Sequence, residues 1–307
     1  MKKAFLSVLL ALAALSAWAQ NIPHGQYSGI CHVKGPVYAV VHDKAKGGGL
    51  YAFVINFTED GLPEVQNVFE LEGTLNGADV LDCEDVICTG DALWLSAEAD
   101  QSIREYDLSG YPTGRMLKIP KDLQSPSANR GFESLAFDGT HFWTTTETPL
   151  PGSQDNIIQS FSPGTLSPSG RWFYKMDEPL ADTAQASAAQ AYVHGISAMT
   201  ALPGGTLAVL EREVYVPQGG FWAKLTGSFT LTRIYEVAPG ASAKGELLEK
   251  RLITSFRTGA LDLANFEGMC LVPQSAFPEE RTALLLIADS QDGSGGLTSE
   301  YLRVIIL

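Results

Sequence analysis

The chain has 307 residues, with 21 lysines and arginines against 35 aspartates and glutamates, for a formal charge of −14 at pH 7. Such a surplus of acid opposes nonspecific binding to nucleic acid or to anionic membranes and favours the capture of cations. With 45% of its residues apolar, the chain can bury a sizeable core, either as one large all-β domain or as two ordinary ones.

The first twenty residues, MKKAFLSVLLALAALSAWAQ, carry two lysines, an apolar run from Ala4 to Leu15 and the small-residue site Ala17-Trp18-Ala19. This is the pattern of a secretory signal peptide over residues 1–19, leaving a mature chain of 20–307 that is secreted and periplasmic. The apolar run is shorter than the ~20 residues a spanning helix needs, and no later stretch is long enough either. No cysteine follows the cleavage site, so lipid anchoring is not expected. Cys31, Cys83, Cys88 and Cys270 enter an oxidising compartment, where three pairings are open, and none has the CxxC spacing of a zinc knuckle.

Five copies of one short phrase follow along the chain: SGICHV from 28, DCEDVI from 82, GFESLA from 131, GISAMT from 195 and NFEGMC from 265. Each opens a β-like run. A turn and a second run rich in β-branched and aromatic residues come next, ending at Asp43, Glu98, Glu147, Glu211 and Asp289. Further strand-like runs complete the units, among them SIREYDL and MLKIP in the second and WAKLTGSFTLTRIYEV and LLEKRLITSF in the fourth. About four strands repeated over 40 to 70 residues is the signature of a propeller blade. The last unit stops one strand short, and Asn21 to Tyr27 is free to supply the missing strand. The expected fold is therefore an all-β, single-domain β-propeller of five blades, closed by an N-terminal strand, with six blades as the alternative. Helical periodicity is nearly absent, apart from the Ala-rich stretch 181 to 192, which reads as a short helix or a loop.

The repeated phrase places acids at one end of the ring. In antiparallel neighbours the start of the first strand and the end of the second share an edge. Glu84, Glu133 and Glu267 are thus expected around one channel mouth, with Asp43, Glu98, Glu147, Glu211 and Asp289 just behind. Cys31 and Ser197 hold the corresponding place in the first and fourth units. Eight converging acids repel unless cations or protons neutralise them. In one reading they hold a hard cation, Ca²⁺ or Mg²⁺, with Glu84, Glu133 and Glu267 catalytic and the other five as metal ligands. In the other they accept hydrogen bonds from backbone amides of the next blade and staple the ring, as in a noncatalytic binding propeller. Arg130, Arg212 and His194 flank these positions and are candidate contacts for a small anionic substrate such as a phosphate ester, although a salt bridge to a ring glutamate is the more ordinary role for either arginine and packing in a loop the more ordinary one for His194. Trp94, Trp143, Phe142 and Tyr38 read as packing between strands. The turn DSQDGSGG from Asp289 lacks the spacing of an EF-hand loop.

The phrases Arg130-Gly131-Phe132-Glu133-Ser134-Leu135, Thr146-Glu147-Thr148-Pro149, Leu210-Glu211-Arg212 and Asn265-Phe266-Glu267-Gly268-Met269 resemble those of the phytase-like domain family, the esterase-like activity of phytase family. The resemblance covers nearly the whole mature chain. It implies a secreted bacterial propeller whose acidic residues carry a phosphoesterase activity. RHGxRxP, HCx₅R, HExxH and GxSxG are all missing, so the remaining economical route to hydrolysis is a cation-activated water.

Overall fold

Short runs of alternating and β-branched residues, punctuated by glycine turns, fold into five antiparallel sheets that follow one another along the chain. The computed structural model describes residues 22–44, 49–74, 82–124, 132–260, 262–289 and 301–307. The leader, Arg130 and most of the turn after Asp289 lie outside the described residues. Blade 1 comprises β1 (Tyr27–Lys34), β2 (Val37–His42), β3 (Leu50–Phe57) and β4 (Pro63–Glu70). Blade 2 comprises β5 (Cys83–Cys88), β6 (Ala92–Ala97), β7 (Ser102–Asp107) and β8 (Pro112–Met116). Blade 3 holds β9 (Phe132–Phe137), β10 (Phe142–Thr146), β11 (Asn156–Phe161) and β12 (Pro168–Tyr174). Blade 4 holds β13 (Ala189–Leu202), β14 (Thr206–Pro217), β15 (Phe229–Val237) and β16 (Lys250–Gly259). Blade 5 holds β17 (Asn265–Val272), β18 (Ala283–Asp289) and β19 (Leu302–Ile306).

The order within each sheet is the order in the chain, so every blade is a meander with its first strand innermost. The inner strands β1, β5, β9, β13 and β17 pack each on the next, and β17 packs back on β1. Apolar clusters lie between all five adjacent pairs of blades, including the pair formed by the last and the first, where Tyr27, Tyr38, Phe53, Cys270 and Leu285 meet. Trp94, Trp143 and Phe142 are buried in these layers, as packing residues. The inner strands approach closely enough to demand glycine: a Cβ at Gly29 would lie 2.6 Å from the Cα of Asp85.

Several sequence expectations need correcting. The N-terminal strand does close the ring, but as the innermost strand of blade 1, not as a fourth strand of blade 5, which has three strands among the described residues. Residues 22–26 form no strand: Pro23 lacks an amide hydrogen, and its carbonyl accepts from the Tyr27 hydroxyl at 3.0 Å. The outer strand of blade 2 is Pro112–Met116, ahead of the expected MLKIP. The run WAKLTGSF begins as a helix, α2 (Phe221–Gly227), before β15. The Ala-rich stretch splits: Asp182 caps α1 (Thr183–Ala188), accepting from the Gln185 amide at 2.8 Å, and the chain then enters β13. All four cysteines are free thiols, three of them buried.

Candidate active site

Each inner strand carries a β-bulge at the same level, where one residue stands unpaired between two registered ones. The unpaired residues are Ser28, Glu84, Glu133, Ser197 and Glu267. A bulge turns its extra side chain out of the regular alternation, which here brings the five together at one end of the ring. Ser28, and not Cys31, is thus the first blade's equivalent of the three glutamates. Cys31 lies three residues deeper, in the apolar layer between blades 1 and 2.

Register also identifies the second circle of residues. Tyr27, Cys83, Phe132, Ile196 and Phe266 precede the bulges and pair with His42, Ala97, Thr146, Glu211 and Ala288. One position further on stand Asp43, Glu98, Glu147, Arg212 and Asp289. Blade 4 therefore presents an arginine where the other blades present an acid. Glu211 is one residue out of phase, and a one-residue slip reverses the face. It points away from the mouth, accepting from the Tyr174 hydroxyl and Lys250 Nζ, both at 2.6 Å, and from the Asp177 amide at 3.1 Å. His194 pairs with Glu213 and so shares that face; burial lowers its pKa, and its Nε2 has no hydrogen-bond partner among the described residues. Neither residue joins the mouth.

Arg212, only 6% exposed, ties two blades to its own. It donates through Nη2 to Glu147 Oε1 at 3.1 Å and through Nη1 to Glu267 and to Asn265 Oδ1, the latter at 3.0 Å. The fully buried Asn265 in turn donates to Glu267 Oε1 at 2.7 Å. Burial disfavours the guanidinium, but Glu267, Glu147 and Glu133 outweigh it and hold the pKa above the ordinary arginine value. Gly195 makes room for this arrangement, since a Cβ there would lie 2.5 Å from Glu147 Cγ. Of the two roles the sequence allowed for Arg212, the geometry realises the salt bridge.

Across the mouth, carboxylate oxygens of Asp82, Glu84 and Glu98 lie within 4.8 Å of one another. Asp82 was not singled out in the sequence, although it opens the second copy of the phrase; its carbonyl receives the Glu98 amide at 2.8 Å, which fixes the two side by side. Lys44 Nζ bridges Asp43 and Asp82 at 2.9 Å each. Burial raises the carboxyl pKa of Glu84 well above the usual range, and Glu267, Glu98 and Asp82 push it further the same way. Burial also lifts Glu133 well above that range, reinforced by Glu84 and Glu147 and opposed by Arg212. Asp43 is raised by burial against the pull of Lys44. Carboxylates this close and this dehydrated suit a hard cation, which takes oxygen ligands and would relieve their repulsion.

The stapling between blades is done by other residues. Ser28 Oγ donates to the carbonyl of Cys83 at 2.5 Å, and Ser197 Oγ to that of Phe266 at 2.9 Å. In both cases the acceptor is the residue just before the bulge of the next blade. Asp85, fully buried, accepts from the Leu135 amide of blade 3 at 2.7 Å and from the Val86 amide at 2.8 Å. Among the described residues, the acid that staples an inner strand to its neighbour in this way is thus Asp85, beside Glu84, and not Glu84 itself.

Residues 22–291 match the phytase-like family, described by its esterase-like activity of phytase. No curated protein matches the sequence. Among solved structures the chain is similar to the Bacillus subtilis arabinanase Arb43A, at 12% identity and a TM-score of 0.45 over 94% of this chain and 95% of that one. It is similar also to the Myxococcus xanthus glutaminyl cyclase, at 9% identity and a TM-score of 0.44 over 94% and 96% of the two chains. Similarities this remote carry nothing about chemistry.

Proposed function

The chain belongs to the phytase-like family, and on that premise we propose that it is a secreted, periplasmic phosphoesterase whose site is the carboxylate mouth. One observation carries the proposal. At the bulge position the fold has its own structural solution, a serine that hydrogen-bonds to the next blade, and it uses this in blades 1 and 4. Glu84 and Glu133 instead bring buried carboxyls up against other acids, at a cost in stability, whereas Glu267 is compensated by Arg212 and Asn265. Positions that break a local rule without structural gain are where function is expected.

Asp82, Glu84 and Glu98 are the residues that would hold a calcium or magnesium ion, which when bound supplies Lewis acidity and a water of lowered pKa. Glu133, whose carboxyl pKa is raised by burial and by its acidic neighbours, is suited to give a proton to the leaving oxygen of the ester. Arg212 and Asn265 act by position: they fix Glu147 and Glu267 and leave these carboxylates no freedom to collapse on the others. The test is a screen of the purified mature chain against aryl phosphates, phosphodiesters and phytate with added calcium or magnesium, beside Glu133→Ser. Turnover in the wild type and none in the folded variant is the expected result. Absence of turnover, or turnover unchanged in Glu133→Ser, would leave a noncatalytic binding propeller as the function.

A further inference from the structure

Blade 4 is longer than the others, and its extra length lies beyond the mouth. From Arg212 at the level of the carboxylates, β14 runs on five residues to Pro217, a rise of roughly 16 Å at the usual strand spacing. The connection to β15 carries α2 at its tip. Residues 218–223, Gln-Gly-Gly-Phe-Trp-Ala, are all exposed, with Phe221 at 66% and Trp222 at 73%. Their rings meet edge to face at 5.4 Å. Two adjacent bulky aromatics presented to water at the end of a projecting hairpin mark a contact surface.

The charge around them narrows the partner. The chain carries 35 acids, yet none falls between Val214 and Tyr235. Lys224 stands on α2 itself, and Arg257 lies near the far end of β16 with its guanidinium 4.3 Å from the Phe229 ring. The tip is thus apolar, with Lys224 the one charged residue from Val216 to Leu231, while Asp262 stands past the end of β16, where it accepts from the Gly259 amide at 2.9 Å. Aromatic rings combined with a basic residue suit the interface of a bilayer, where ring faces enter the boundary between headgroups and acyl chains and the ammonium meets lipid phosphate. We propose that the tip of blade 4 docks on a phospholipid surface through Phe221 and Trp222. Because the tip stands on the rim side of the ring, docking turns the carboxylate mouth toward the lipid.

The structure supplies its own probe. Among the described residues Trp94, Trp143 and Trp172 are buried, so Trp222 is the exposed tryptophan. The chain from Gln20 is mixed with phosphatidylcholine vesicles, with and without brominated acyl chains. Brominated lipid should quench part of the emission, the spectrum should shift to the blue, and both effects should vanish in Trp222→Phe while the protein still sediments with the vesicles. Phe221→Ser combined with Trp222→Ser should weaken vesicle partition by about tenfold or more at an unchanged melting temperature. Failure of the wild type to bind would overturn the proposal. So would binding that needs anionic lipid and disappears at about 0.5 M salt, since that is charge attraction without insertion. A concentration-dependent dimer that the double variant abolishes, without vesicle binding, would assign the tip to self-association instead.

Discussion

At the scale of single residues, the choice between serine and glutamate at a bulge separates stability from function. Glu133→Ser removes a buried carboxyl and introduces the hydroxyl that Ser28 and Ser197 already use, in reach of the carbonyl of Ile196 by analogy of position. It should stabilise the fold by about 1 kcal/mol in chemical denaturation, while any hydrolysis is lost. The sign with pH follows from linkage. The folded pKa of Glu133 lies above its ordinary value of 4.5, so the group contributes stability below that value and the contribution is lost as pH rises through the folded pKa. The wild type, free of divalent ions, should therefore weaken as pH climbs above about 4.5. Glu133→Gln should have a flatter profile, and melting curves at a series of pH values would reveal either the expected slope or its absence. Glu133 and Glu267 were legible as special from the repeated phrase alone. Asp85 was not, because nothing in DCEDVI distinguishes an acid that takes backbone amides from one that faces the channel; only the bulge does.

At the scale of elements, β14 carries two unrelated charge networks on its two faces. Glu211 and Glu213 face the segment after β12, where Glu213 accepts the Leu180 and Ala181 amides at 2.7 and 2.8 Å. Arg212 faces the mouth. Removing the guanidinium in Arg212→Met leaves Glu147 and Glu267 partly buried without their counter-charge, and should destabilise the protein by about 3 to 5 kcal/mol in urea titration. Arg212→Lys should recover only part of this, since an ammonium cannot serve Glu147, Glu267 and Asn265 from one planar fork. Strand order was legible in the sequence because apolar and β-branched runs are separated by glycine turns. The phase of each strand was not. Bulges shift one strand against its partner without altering composition, and so the sequence reading set Glu211 in the circle that Arg212 occupies. Residues such as Asn265, whose role is to hold another side chain in place, leave no periodic signal at all.

At the scale of the whole molecule, the ring is held by packing between blades without covalent links. The melting temperature should accordingly be the same with and without reductant, and a drop on adding dithiothreitol would reveal a disulfide that this structure lacks. A divalent cation is expected to act globally too. Calcium at a hundred times its dissociation constant should add about 2.7 kcal/mol by mass action, and Glu84→Gln with Glu98→Gln should abolish the increment. An unmoved melting temperature in the wild type would end the cation assignment. The count of five blades could be read from the five phrases, whereas the manner of closure could not, since lateral contact between β1 and β17 has no signature in either strand. That closure has a consequence for the order of folding. Each blade is a local meander and can form early, but β1 and β17 must meet across more than two hundred residues of intervening chain. Glu267 is the strongest charged neighbour acting on Glu84, and the two belong to blades on either side of blade 1. Their repulsion does not exist in the separate blades and arises only as the ring shuts. Ring closure is thus the late, electrostatically opposed step, and protons or divalent ions that quiet the mouth should speed refolding at that step while leaving formation of the individual blades untouched.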